Sequence, residues 1–446
     1  MPSLPPGPNG AIGRLAATRA LFDAALAGDA AAARGALELG GDPDPPGLDA
    51  WSNPRGGGAL AAAASSGDVD CINLLLPLCD PRRADLDGRT PLMAAISSGH
   101  QGAALCLLPV SDAGAANRDG LTALMLAADA GSALLTGVLS TLSDPSARDR
   151  AGSNALMAAA KRGRSACAAL LAPLSDLGAR DERGRTALVI ACQLGHAPAA
   201  RVLVDAGSPL EAVDAFGLGA LAHCGFWGRS ECAALLLGAG ASLWGESRRG
   251  SEPTALDYAC TRGHAECARA MLDALSSWAR SQALGPALAA SAKAGRLDCA
   301  RALLDFGAPR LDGSALCAAA SRGDLEMAEL LVSRGVDPDW RGDGGVTPLM
   351  AAAENGRLSM CETLLPMCDS LALDAFGRAA AEAAESSGHP RLGAFLRGYS
   401  RGFLAGGESL LRALSLAASP DDPSLAEAHR DGLALGTRSV SSLMLD

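Results

Sequence analysis

A thirteen-residue pattern returns along this chain at a nearly fixed interval, and an internal period excludes most folds at once. "GRTPLMAAISSGH" at 88–100 comes back as "GLTALMLAADAGS" at 120–132 and "GSNALMAAAKRGR" at 152–164. "GRTALVIACQLGH" at 184–196 and "GVTPLMAAAENGR" at 345–357 repeat it again. Aligned on the Thr of T-P/A-L, the anchors are Thr90, Thr122, Asn154, Thr186, Gly219, Thr254, Pro286, Ser314, Thr347 and Ala379, preceded by Gly58 and a degenerate Arg19. Most steps from Gly58 onward are 32 residues; the others are 33, 35, 28 and 33. Length alone points to about three domains, but such a period means one stacked array of small elements.

Each repeat has a physical reading. The anchor Thr occupies an N-cap, where its hydroxyl accepts a free helical N–H, and Pro at the next position lacks an N–H that would be unpaired anyway. An Ala-rich helix of about two and a half turns follows, closed by Gly with His, Arg or Asp. A second helix carries a Leu pair inward and stops at Pro, as in "LLPLCD", or at Gly, as in "LVDAGS". A D-x-x-G turn then leads to the next anchor. Two short helices and a turn cannot bury a core alone, but a stack of them can.

The recurring D-x-x-G-x-T-P-L-x-x-A-A-x-x-G-H-x-x-x-x-x-L-L resembles the ankyrin-repeat family over roughly residues 15–398, with about twelve repeats. The resemblance implies an all-α solenoid of helix-turn-helix elements with projecting β-turn fingers, and a concave groove that grips protein partners. The family's usual His after T-P-L is replaced here by Met93, Met125, Met157 and Met350. "SSWARSQALGPAL" and "GAPRLDGSAL" break the turn pattern, so a kink or an altered surface is expected near 276–314.

Thirteen Cys invite a metal or redox reading. Cys71, Cys167, Cys232, Cys267 and Cys299 instead share one register slot with Leu135, Met327 and Leu392, which marks an apolar packing position. No paired C-x2-4-C spacing occurs, so no metal is expected. A helix hairpin could bring Cys260 and Cys267 together, but the core reading is expected for them too. His100, His196, His264 and His389 follow loop glycines and take structural places. His223 beside Cys224 suggests a Cys–His dyad, but adjacent helical side chains diverge and the sequence shows no third orienting group. No nucleotide, hydrolase or metalloprotease motif is present, so neither an enzyme nor a cofactor is expected.

Net charge is −11, which argues against a general affinity for nucleic acid or anionic membrane. No apolar run reaches membrane-span length, and the start lacks the pattern of a secretory signal; a cytoplasmic protein is expected.

Function is therefore sought on the groove surface. The two residues before each loop glycine are mostly small or polar, such as Ser97-Ser98, Lys161-Arg162 and Glu354-Asn355; one repeat has Phe226-Trp227. Phe216 and Leu218 lie in the turn of the same repeat, where other turns carry Arg89, Arg150 or Arg183; Trp244 enters the one longer turn, and Tyr258 lies on the next first helix. Five of the 14 aromatic residues fall within 216–258. Lys161, Arg162, Arg183, Arg185 and Arg262 add positive charge, and rings bordered by Arg are the composition of interaction hot spots. These eleven residues are the candidate partner-binding set. Three readings stay open: docking of another protein, a satellite cluster in which the turn after Trp244 folds over Phe226 and Trp227, and homodimerisation of an otherwise monomeric chain.

The expected organisation is a degenerate capping repeat and Pro/Gly-rich insertion at 1–57, the array at 58–398, and a capping helix with a mobile tail at 399–446. The expected function is a non-catalytic scaffold or adaptor that binds a protein. A regulatory subunit that inhibits an enzyme, or an effector acting inside another cell, are the alternatives.

Overall fold

The computed structural model describes residues 8–45, 57–244, 253–307 and 313–404. Short helices fill the described residues, with no strand; single antiparallel bridges, such as Ala116 to Thr122, are the only extended pairing among them. No described helix is long and apolar enough to cross a membrane. Two compact units are present, one of residues 1–223 with 238–246, the other of residues 224–237 with 247–446.

In the first unit the anchors do what their chemistry requires. Thr90, Thr122 and Thr186 cap helices Pro91–Ser97, Ala123–Ala130 and Ala187–Leu194, each hydroxyl accepting an N–H three residues on; Asn154 does the same for Ala155–Lys161. The N–H of Met93 is among those bound, at 3.4 Å, so the missing family His leaves the helix start satisfied. First helices pack on first helices and second helices on second, giving two parallel layers. Ala95, Ala127, Ala159 and Ala191 are fully buried between them. Their short side chains permit close helix approach, and Leu107, Leu139 and Leu171 fill the second layer.

The projecting turns are tied to one another. Arg118 N donates to Asp87 O at 2.9 Å, Arg150 N to Asp119 O at 2.8 Å, and Ala215 N to Arg183 O at 2.9 Å. Within each turn the leading Asp or Asn accepts two backbone N–H groups; Asp85 Oδ1 takes those of Asp87 and Arg89 at 2.9 and 2.7 Å. This is why D-x-x-G recurs.

Three sequence expectations are corrected. Arg19 is not an anchor: helix Pro8–Ala27 runs through it, and the first pair is completed by Ala30–Glu38, capped by Asp29. Pro286 does not begin a helix. Ser277–Ala294 is one 18-residue helix capped by Ser276, with Pro286 on its exposed side, where the carbonyl left without a donor can meet water. The altered turn before this repeat is thus absorbed into helix. Ser314 is the first helical residue after a Gly313 N-cap that supplies no side chain.

In the second unit, Ala255–Arg262, Ser277–Ala294, Ser314–Arg322, Pro348–Glu354 and Ala380–Ser386 form one layer. Ala379 has no hydroxyl, and Glu382 compensates by accepting its N–H at 3.0 Å. Helix Pro390–Leu404 continues past the expected repeat end, burying Phe395, Leu396 and Tyr399, whose hydroxyl donates to Leu365 O at 3.3 Å. "ESLLRALSLAAS" and the expected tail lie outside the described residues.

Candidate functional site

Phe226 and Trp227 end helix Ala220–Trp227, and Gly228 then reverses the chain at φ 69°. Phe226 turns toward Tyr258 of the next repeat, with ring centroids 6.1 Å apart and an edge-on angle of 60°. Trp227 meets Phe226 at 5.2 Å and 67° and keeps 47% of its surface exposed. The Arg262 guanidinium lies over the Phe226 ring, 3.9 Å from its centroid. Each ring contact is worth about 0.5–1.5 kcal/mol and the stacked cation about 0.5–1 kcal/mol. Four sequence-chosen residues thus form one rigid, half-open cluster in the second unit.

Gly225 makes the approach possible. A methyl at this position would run into the Ala255 carbonyl, so any larger residue would push the two helices apart. The same slot holds Ala128 and Ala160 in earlier repeats.

The remaining candidates belong to the first unit and are differently placed. Arg162 is bound to Asp129 at 2.9 Å, which raises its pKa further. Arg185 holds Asp181 at 2.7 Å and Gln193 at 2.9 Å. Lys161 and Arg183 are exposed, and the Lys161 carbonyl meets His196 Nε2 at 3.1 Å. Trp244 is 38% exposed; the turn after it, with its proposed fold over the rings, lies outside the described residues.

Phe216 is 81% exposed on a turn tip. Its turn is held by Asp214 Oδ1, which accepts Phe216 N at 2.9 Å and Leu218 N at 3.0 Å. The other oxygen of Asp214 meets His223 Nε2 at 2.9 Å, both side chains buried. His223 therefore does have an orienting carboxylate, contrary to the sequence expectation, and the pair is explained by the repeat. Where the turn ends in Arg, as at Arg185 or Arg378, the guanidinium holds the turn Asp; Leu218 cannot, and His223 takes its place. The pair is a turn lock. Sequence reasoning also passed over "DAFG" at 374–377, which presents Phe376 at 80% exposure on an equivalent tip.

The ankyrin-repeat family model, with three copies per match, covers residues 21–115, 59–149, 132–214, 156–246, 288–374 and 316–396. The chain belongs to the ankyrin-repeat family. No curated protein matches it closely enough to lend it a function. The matched stretches leave out 247–287, where the longer turn and the fused helix interrupt the ankyrin pattern.

Ankyrin register also explains the His and Cys residues. His264 Nε2 lies 3.2 Å from Phe226 O, reaching from one loop to the residue two before the preceding loop glycine. Arg296 and Arg357 sit where His264 does and donate to Thr261 O and Ser321 O, each at 3.2 Å. A G-R loop thus performs the G-H task while adding a permanent charge.

Cys71, Cys167, Cys232, Cys267 and Cys299 are buried, and no group of three or more metal-ligating side chains occurs among the described residues. Burial pushes the thiols of Cys71, Cys267 and Cys361 up to about 12. Cys260 and Cys267 are both buried, and the neighbouring Cys299 thiol, then burial, raises the pKa of Cys260.

Proposed function

We propose that this chain is a non-catalytic scaffold that binds another protein, and that Phe226, Trp227, Tyr258 and Arg262 are the centre of its docking site. Ankyrin repeats are in general protein-interaction modules. One observation carries the more specific reading. Trp227 leaves nearly half its surface in water while its neighbour Phe226 is fixed by two rings and a guanidinium. A rigid aromatic anchor with an exposed face loses little entropy on binding, and such residues dominate interface energetics. Phe216, Leu218 and Trp244, with Lys161, Arg162, Arg183 and Arg185, belong to the first unit and stay candidates of that unit alone.

The test is paired capture. The native chain and a Phe226→Ser/Trp227→Ser variant are compared, after circular dichroism shows equal helix content and melting. A partner held by the native chain and lost by the folded variant supports the reading; equal retention contradicts it.

A further inference from the structure

Beside the aromatic cluster, the second unit carries a file of cations that the acidic composition of the chain conceals. Arg262, Lys293, Arg296, Arg322 and Arg357 are all exposed, and none has a carboxylate within ion-pair distance among the described residues. Backbone carbonyls hold three of the five. Arg296 Nε donates to Thr261 O at 3.2 Å, Arg322 Nη1 to Lys293 O at 3.3 Å, and Arg357 Nε to Ser321 O at 3.2 Å. Each bond links one repeat to the end of the first helix in the repeat before, so the charges advance one repeat at a time along the same helix ends. Carbonyl bonds hold a guanidinium in place without neutralising it. Of the acids at these loops, Glu354 pairs with Arg378 at 3.4 Å and Glu266 with Arg269 at 2.8 Å, while Asp324 caps Met327 N at 3.2 Å and keeps its charge, as do Asp298 and Glu326 in the first turns that follow.

We propose that this file binds an extended acidic protein segment, with an apolar side chain of the same segment seated against Phe226, Trp227 and Tyr258. The inference rests on the docking site proposed above and names the chemistry of its occupant. Charge complementarity selects an acidic segment over a neutral one. Repeat geometry sets its spacing: packed helices lie about 8–10 Å apart and an extended chain advances about 3.3 Å per residue, so a cation recurs about every three residues. The preferred segment has an apolar residue followed by acids at every third position.

The experiment uses the full chain and a fluorescein-labelled peptide, Leu-Ser-Ser-Glu-Ser-Ser-Glu-Ser-Ser-Glu, with binding read by anisotropy. Two control peptides carry Lys in place of Glu, or the three Glu side by side. The spaced-Glu peptide is expected to bind at least about tenfold tighter than either control, and more weakly as salt rises. Arg262→Gln/Arg296→Gln/Arg322→Gln, which retains amide donors for the carbonyl braces, is expected to lose about tenfold; Arg334→Gln, at a guanidinium already paired with Asp305, is expected to change nothing.

Equal binding of the Lys peptide, no binding of any peptide, or full binding by the folded Gln variant overturns the proposal. Loss in Phe226→Ser/Trp227→Ser together with retention in the Gln variant would leave the aromatic site standing and remove the cation file. Tighter binding of a single-stranded oligodeoxythymidylate of equal charge would replace protein by nucleic acid as the occupant. A native dimer that the Gln variant dissociates, seen by sedimentation, would replace it by a second copy. Tighter peptide binding in Asp421→Lys/Asp422→Lys/Glu427→Lys would replace it by the chain's own C-terminal segment.

Discussion

Arg162 and Arg262 each precede a loop glycine at the same place in their repeats, yet one is neutralised and the other is not. Arg162 reaches back to Asp129 and forms an ion pair at 2.9 Å. Arg262 reaches back to the equivalent residue of its preceding repeat, Phe226, and stacks on a ring at 3.9 Å. In an array, a side chain's availability is decided one repeat upstream. Counting charges along the sequence therefore misplaces the binding potential: Arg162 and Arg185 are committed to carboxylates, whereas Arg296, Arg322 and Arg357 of the second unit are held by carbonyls.

The comparison can be broken most forcefully at Gly225. Gly225→Ala drives a methyl into the Ala255 carbonyl and is expected to cost about 3 kcal/mol in chemical denaturation, since the backbone itself must move. Ala160→Gly, the reciprocal change in the slot of the Arg162 repeat, should cost about 1 kcal/mol. Similar losses at both positions would mean that the second unit has no special closeness there.

The two turn locks come next. His223→Ala strands a buried Asp214 oxygen and should cost about 2 kcal/mol. Arg378→Ala opens a more exposed lock and should cost about 1 kcal/mol or less by thermal melting. The reverse order would show that His223 is not the replacement for a turn arginine.

Phe226→Asp sharpens the comparison directly, because it gives Arg262 the partner that Arg162 has. Binding of the acidic peptide is expected to fall about tenfold while the melting temperature stays within a few degrees. Undiminished affinity would show that the charge of Arg262 is not what the ring keeps free.

The smallest effect is on pH dependence, and the two units should share it. Cys71 in one and Cys361 in the other have thiols raised from 9.0 to about 12 by burial. A raised folded-state pKa favours the neutral thiol, so its stabilising contribution is complete below pH 9 and is lost as pH rises toward 12. Cys71→Ala and Cys361→Ala should each flatten the alkaline fall of stability measured by denaturant titration. An unchanged slope would contradict the burial argument.

The period, the Thr caps, the apolar Cys slot and the all-α ankyrin architecture were legible in the sequence, because each follows from a local rule repeated in register. Phe226-Trp227 stood out against that register for the same reason. What could not be read were contacts between repeats whose local sequences look ordinary. Nothing in a loop such as "SAKAGR" at 291–296 announces that an arginine after a glycine braces the carbonyl of another repeat, although the alternation of His264 with Arg296 and Arg357 at one slot is a usable signal. Asp214–His223 was hidden because the compensating His lies nine residues away, on the helix. The fused helix Ser277–Ala294 was missed because Pro286 was assigned to a helix start, where proline is more often found.

Hydroxyl-radical footprinting of the chain alone and with its captured partner tests the central claim most directly, because it reports where side chains become covered. Protection is expected at Trp227 and Tyr258, with Trp278 and Phe376 unchanged. Protection confined to Trp278 or Phe376, with Trp227 as reactive in the complex as in the free chain, would place the docking site elsewhere and contradict the account.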